Sequence, residues 1–320
     1  MSAEIINTPE KCLTLMAVFA HPDDESFGIG GTLARYANDP QVRVVLLCAT
    51  RGEAGEISDP SLATKEHLAE VREAELRCAV EALGIDELLL LDYRDSGMAG
   101  TVENLDPRSL NMADLDEVVA KIVYQIRRVR PDVIITFDPT GGYGHPDHVA
   151  IHYHTRAAFT AAVDPCRYAE QIEEGLAVYQ APKLYYTAIP HRFFVEAAAR
   201  MQEMGIEVPQ RYLDRLEVPF GLPDGACTTD VDVRPYWAAK YAAIRCHATQ
   251  LHPDSVFAML PPEVMSELQN WECFQLAASL VGDDLLLVNA RVKAESLAVV
   301  DQGPSRAAWD KAGDCLVARI

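Results

Sequence analysis

The feature that most constrains the fold of this chain is the alternation, through its first half, of short apolar runs with longer stretches of helical period. Residues 13–19, 42–49, 87–91 and 132–137 have strand length and are rich in Val, Ile and Leu. Between them lie 28–38, 64–83 and 113–129, which read as helices. The middle one carries Leu68, Val71, Leu76, Ala79, Val80 and Leu83 at helical spacing, and Gly84 ends it. Strands separated by helices imply right-handed crossovers, hence a doubly wound, mostly parallel α/β sheet with helices on both faces.

The second half is less regular. Residues 183–189 read as another core strand, 191–205 and 235–248 as helices, and 284–292 as a late strand. Neither an internal repeat nor a low-complexity linker divides the chain. Residues 1–190 are therefore expected to form the core, with 191–320 a smaller α+β portion packed on it and shaping a pocket, the whole being a single structural unit.

With Lys+Arg 28 against Asp+Glu 48, the formal net charge is −20, which repels phosphate backbones and anionic lipid. Nucleic acid and membrane surfaces are poor partners for such a chain. No stretch approaches the roughly 20 apolar residues of a membrane helix, and Met1-Ser2-Ala3-Glu4 does not open like a signal peptide. The eight cysteines (12, 48, 78, 166, 227, 246, 273, 315) are scattered without a C-x-x-C pair, and read as buried thiols in a reducing, cytoplasmic setting. No heptad marks an oligomer interface, so a homo-oligomer is left open.

Two polar clusters fall where strands end, the place at which open α/β sheets bind ligands. After 13–19 comes His21-Pro22-Asp23-Asp24-Glu25; after 132–137 comes a glycine-rich turn leading to Tyr143-Gly144-His145-Pro146-Asp147-His148, with a helix expected near Pro146. Adjacent carboxylates repel unless a cation neutralises them. Neutral imidazoles with a carboxylate suit zinc, and three protein ligands leave a fourth position for water. His21, Asp24 and His148 are the expected ligands. Asp23 is then available as general base, His145 as general acid or oxyanion partner, Asp147 as orienter of the His145 ring, and Tyr143 as oxyanion donor. His152, four residues after His148, is an alternative ligand or a core residue. Gly28-Ile29-Gly30-Gly31 lacks the spacing of a dinucleotide loop and reads as close helix–sheet packing.

At these residues the chain resembles the LmbE-like family of zinc-dependent N-deacetylases. The likeness rests on Ala20-His21-Pro22-Asp23-Asp24-Glu25, on Gly30-Gly31-Thr32-Leu33-Ala34 and on Gly144-His145-Pro146-Asp147-His148. Residues 94–101 and 240–250 are most similar to the branch that acts in mycothiol metabolism, as biosynthetic deacetylase or S-conjugate amidase. The resemblance implies a Rossmann-like fold and removal of an N-acetyl group from an N-acetylglucosamine-containing small molecule. It assigns the metal to His21, Asp24 and His148, the base to Asp23, the oxyanion tyrosine and acid histidine to Tyr143 and His145, and substrate contacts to Arg72 and Asp95. Zinc is the expected metal, with Fe2+ or another divalent ion as alternatives. The amidase branch carries a lysine where this chain has Gly28, which favours deacetylation. The rival readings are an amidase acting on a larger acyl group and a non-catalytic sugar-binding protein.

Overall fold

A computed structural model of the chain describes residues 13–217, 220–223 and 225–280, together with the backbone of 291–292. The first half is built as β1 (Leu13–Phe19), α1 (Asp24–Ala37), β2 (Val42–Thr50), α2 (Leu68–Leu83), β3 (Glu87–Tyr93), α3 (Leu115–Val129) and β4 (Val133–Thr136). A short turn of helix, α4 (Gly141–Gly144), leads into α5 (Pro146–Ala161); α6 (Ala169–Glu173) and β5 (Lys183–Ala188) follow. The remainder contributes α7 (His191–Glu203), α8 (Gln210–Glu217), β6 (Thr229–Asp232), α9 (Trp237–Cys246), α10 (Val256–Met259), α11 (Pro262–Leu268), β7 (Trp271–Ser279) and β8 (Arg291–Val292).

One sheet runs through all of it, in the order β3-β2-β1-β4-β5-β7-β6-β8. The first five strands are parallel, and the sheet turns antiparallel at β7. Side chains alternate along each strand, so each face has its own core. On one face Met16, Val18, Val45 and Leu47 pack under Val119 and Ile122 of α3 and Ile151 of α5. On the other, Leu15, Ala17, Val44 and Leu46 pack under Leu33 of α1, Leu76 of α2 and Ala243 of α9. A third cluster joins Phe194, Met201, Tyr212, Ile244, Phe257 and Met265, so α7 to α11 build a separate apolar wall beyond β5.

The structure differs from the sequence reading at three points. Helix α1 begins at Asp24 rather than at 28, because Asp24 and Glu25 occupy its first turn, where negative charge is favourable, while the apolar period starts only later. The strand read at 284–292 lies largely outside the described residues; Arg291–Val292 alone is described, pairing with β6. The cysteine reading is overturned for two residues. Cys78 of α2 and Cys246 of α9 form a disulfide across 168 residues of sequence, a proximity created by packing of the two helices and invisible to spacing. Cysteine usage therefore gives no support for a reducing compartment. Cys48, Cys227 and Cys273 are buried and Cys166 is exposed. Among the described residues no helix is long and apolar enough to cross a membrane.

Candidate active site

Strand order reverses direction on either side of β1 and β4, and the loops leaving their carboxyl ends open the crevice where such sheets bind ligands. The turn from β1 into α1 brings His21 and Asp24; α5 brings His148. His21 Nδ1 stands 3.0 Å from His148 Nε2. His148 Nε2 is 3.2 Å from Asp24 Oδ1, and His21 Nδ1 is 3.8 Å from Asp24 Oδ2. All three side chains are buried or nearly so.

The outer nitrogens of the two rings show which lone pairs remain. His148 Nδ1 lies 3.1 Å from the Gly141 carbonyl, which can only accept, so Nδ1 carries the proton and Nε2 is bare. His21 Nε2 faces Asp147 Oδ2 at 3.1 Å and Asp95 Oδ1 at 3.4 Å, which leaves Nδ1 bare in the neutral ring. Two bare nitrogens at hydrogen-bond distance need a positive charge between them. A proton can supply it: burial alone would lower the His21 pKa, but the carboxylates of Asp95, Asp147 and Asp24 outweigh burial and raise it well above its ordinary value. A divalent ion fits better, because ligands bound at about 2.0–2.1 Å in a tetrahedron stand roughly 3.3 Å apart, close to the separations found here. Burial likewise opposes the Asp24 charge, yet His148 and His21 hold its carboxyl well below the usual carboxylate range.

Asp147 is wholly buried and accepts hydrogen bonds from the Ser96 amide (2.9 Å) and the Ser96 hydroxyl. The sequence reading gave it the His145 ring; its carboxylate in fact orients His21, and only its backbone amide reaches His145 Nδ1, at 3.2 Å. The cause is the start of α5: His145 is its N-cap, so Asp147 presents its amide to the cap and its side chain to the sheet. Gly141 is fixed by geometry as well. Its φ is +65°, and a Cβ there would lie 2.7 Å from His148 Cβ.

Asp23 precedes α1 with φ 114°, a conformation unusual for a residue with a side chain. Two groups hold it. Glu25 Oε2 accepts the Asp23 amide at 3.0 Å, and Arg72 of α2 ion-pairs with Asp23 Oδ2 at 3.2 Å. Arg72 also donates to the carbonyls of Gly52 and Pro22, so both of its terminal nitrogens are held by the protein. Desolvation raises the Asp23 carboxyl to about 6, against the attraction of Arg72 and with the repulsion of Asp24. Glu25 is anchored in turn by His247, whose Nε2 lies 2.7 Å away in a fully buried pair.

Arg72 and Asp95, which the resemblance makes substrate contacts, are placed behind the site instead. Both are almost fully buried: Arg72 braces Asp23, while Asp95 accepts from the Gly97 and Ala54 amides and faces His21. His152 is turned away, its Nδ1 2.8 Å from the Phe137 carbonyl and its ring against Tyr186. Ser96, Glu25 and His247 carry no role in the sequence analysis, although all three lie inside its motifs. Other groupings of donor atoms exist among the described residues: His21, His145 and His148; His21, Asp95 and Asp147; and Cys227, Asp230 and Cys273.

The site opens into a cavity of about 660 Å3 lined by Asp23, Asp24, Tyr143 and His148 at one end. Tyr143 is half exposed, its ring 5.0 Å from that of His148. Desolvation and the charges of Asp24 and Asp23 push its hydroxyl far above the usual tyrosine range, so it keeps its proton. Burial, followed by the neighbouring His21 and His148, lowers His145 to about 4. Neutral, with Nδ1 accepting from Asp147, its ring carries its hydrogen on Nε2.

A protein of Kineococcus radiotolerans named 1D-myo-inositol 2-acetamido-2-deoxy-alpha-D-glucopyranoside deacetylase is 44% identical over 272 residues, covering 79% of this chain and 72% of that one. Residues 16–159 match the family described as PIG-L, GlcNAc-PI de-N-acetylase. The chain belongs to the PIG-L family. A second PIG-L relative of the same name, from Geodermatophilus obscurus, is 40% identical and matches 84% of this chain and 92% of its own. Among solved structures, N,N'-diacetylchitobiose deacetylase from Pyrococcus horikoshii superposes with a TM-score of 0.58 at 20% identity, covering 82% of this chain and 83% of that one. The 4-carboxy-2-hydroxymuconate hydratase GalB of Pseudomonas putida gives 0.57, also at 20% identity, over 86% of this chain and 100% of its own. These likenesses show the α/β fold of the PIG-L chain. A hydratase and a deacetylase share it, so the chemistry has to be argued from the site.

Proposed function

We propose that this protein is a zinc-dependent N-deacetylase that hydrolyses the acetamide of an N-acetylglucosamine-containing small molecule, an inositol glycoside of the kind named for its relatives. The observation that carries the reading is the pair of imidazole nitrogens 3.0 Å apart beside Asp24, with a second carboxylate, Asp23, fixed next to them. His21, Asp24 and His148 are the proposed ligands. Zinc held there supplies Lewis acidity to the acetamide carbonyl and to water.

The protein's own groups do the rest. Asp23 takes a proton from the attacking water, and burial, which raises its carboxyl, strengthens it as a base. Arg72 and Glu25 keep the carboxylate turned to the cavity. Tyr143 O–H and His145 Nε2–H donate to the carbonyl oxygen as it gains negative charge. The proton held on Asp23 passes to the nitrogen as the carbon–nitrogen bond breaks, releasing the amine and acetic acid, and the acid then gives up its hydroxyl proton to leave acetate and the ammonium form of the amine. His145 thus acts as a neutral hydrogen-bond donor in this scheme, since its Nδ1 accepts from the Asp147 amide and burial disfavours the imidazolium. Residues 191–320 are proposed to act with the core by walling the substrate cavity. Acetate and amine release from the inositol glycoside, measured alongside metal content, tests the reading. Turnover with one bound zinc per chain, and loss of both in His148→Ala, is the expected result; turnover undiminished after metal removal would contradict it.

A further inference from the structure

Besides the acidic groups of the site, the cavity is lined by a cation set among aromatic rings. Arg215, from α8, lines it together with Phe194, Tyr212 and Phe220. Its guanidinium carbon lies 4.6 Å from the Phe220 ring centre, 5.5 Å from that of Phe194 and 5.8 Å from that of Tyr212. Arg211, one turn earlier, shows the ordinary alternative: it pairs with Asp254 at 3.0 Å and donates to the Asp254 carbonyl. Arg215 forms no hydrogen bond to a protein acceptor and no ion pair among the described residues, although it is partly buried and desolvation lowers its pKa.

Stacking occupies the flat face of a guanidinium and leaves its in-plane N–H groups free. A stacked cation with a free donor fork beside aromatic surface suits a ring that offers C–H faces to the aromatics and adjacent hydroxyls to the fork. Cavities of ~300–1,000 Å3 hold drug-sized ligands, and the one here, at about 660 Å3, has room for more than one sugar-sized ring.

We propose that Arg215, stacked on Phe220 and flanked by Phe194 and Tyr212, forms a subsite for a second polyhydroxylated ring joined to the N-acetylglucosamine, taking two adjacent hydroxyls on its N–H fork. The proposal rests on the deacetylase reading for the other ring and adds the group that selects what is attached to it. Arg215 is assigned here to the attached ring as a specificity residue, and the split between glycoside and monosaccharide kinetics separates that from a role at the acetamide.

Steady-state kinetics of the zinc-loaded wild type, Arg215→Gln and Arg215→Lys on free N-acetylglucosamine and on its inositol glycoside test it. For Arg215→Gln, KM for the glycoside is expected to rise ~10- to 100-fold with kcat nearly unchanged, while the monosaccharide is unaffected. Arg215→Lys keeps the charge but loses the planar fork, so KM for the glycoside stays raised. An unchanged glycoside KM, or an equal rise for both substrates, would overturn the subsite. So would competitive inhibition by inorganic phosphate that Arg215→Gln abolishes while glycoside KM holds, since that marks an anion site. If wild type hydrolyses neither compound, the deacetylase reading fails separately. The subsite is then read by titrating the amino-sugar inositol glycoside into wild type and Arg215→Gln, with weaker binding expected for the variant and equal binding contradicting the subsite.

Discussion

Asp23 combines a φ of 114° with a carboxyl raised to about 6, and both features cost stability that its neighbours must offset. The folded carboxyl binds a proton more tightly than the unfolded one. Its contribution therefore opposes folding above about pH 6 and fades as pH falls toward 4. Asp23→Asn removes the charge and keeps a residue that tolerates positive φ. The metal-stripped variant should be more stable than wild type at pH 8, on the order of 1–2 kcal/mol once partial exposure of the side chain is allowed for, with no gain at pH 4. Thermal melts at the two pH values check this, and turnover should fall ~10²–10⁴-fold with zinc retained. Ser96 offers a second test, because it fixes Asp147 and through it His21. Ser96→Ala should weaken zinc ~10- to 100-fold in a competitive chelator titration, without moving Asp23. The three proposed ligands and Asp23 were readable from the sequence because short spacings after two strands bring them to one crevice. The positioning roles were not: Ser96 and His247 reach the site from other crossovers without an assigned role, Arg72 stood only as a substrate contact, and no local pattern reports which way a side chain faces.

Helix α1 shows how an element is shaped to serve the site. Ile29 leaves helical geometry (φ −131°, ψ 21°), and the Gly31 and Thr32 amides turn instead to Glu272 of β7, at 2.9 and 2.7 Å. Lys240 of α9 completes the arrangement, its ammonium 2.7 Å from Glu272 in a pair that is 1% and 4% exposed. Lys240→Met would leave the Glu272 charge buried with its cation removed, and urea unfolding should show a loss of about 3–5 kcal/mol. The same packing explains Gly31, where an added Cβ would lie 2.5 Å from Val233 Cβ, just past β6, whereas Gly28 has open space beside it and Gly30 faces Lys240 of α9. Helix α9 is also tied to α2 by Cys78–Cys246. Since α2 carries Arg72 and His247 follows α9, the disulfide joins the two elements that hold Asp23. Cys246→Ser should lower stability by about 2–4 kcal/mol, measured as a shift of the unfolding midpoint. Periodicity located α2, but the Glu272 contacts to Gly31 and Thr32 span 241 and 240 residues and the disulfide 168, and they became legible only with the fold.

On the scale of the whole molecule, the order β3-β2-β1-β4-β5 sets the crevice, and the antiparallel extension through β7 and β6 carries the helices that wall the cavity. The parallel half was legible because each strand is a continuous apolar run followed by a helix. The antiparallel half was not, since β6 has only four residues and β7 mixes Glu272 and Gln275 into its apolar pattern. The acidic balance of the chain fits a neutral, hydroxyl-rich substrate better than a polyanion. All of these readings depend on one cation between His21 and His148. Anomalous diffraction at the zinc edge, from crystals of the zinc-loaded protein, tests that directly. A single strong peak is expected within bonding distance of His21 Nδ1, His148 Nε2 and an Asp24 oxygen, with Asp23 outside it. A peak at Cys227, Asp230 and Cys273 alone, or none in the crevice, would contradict it.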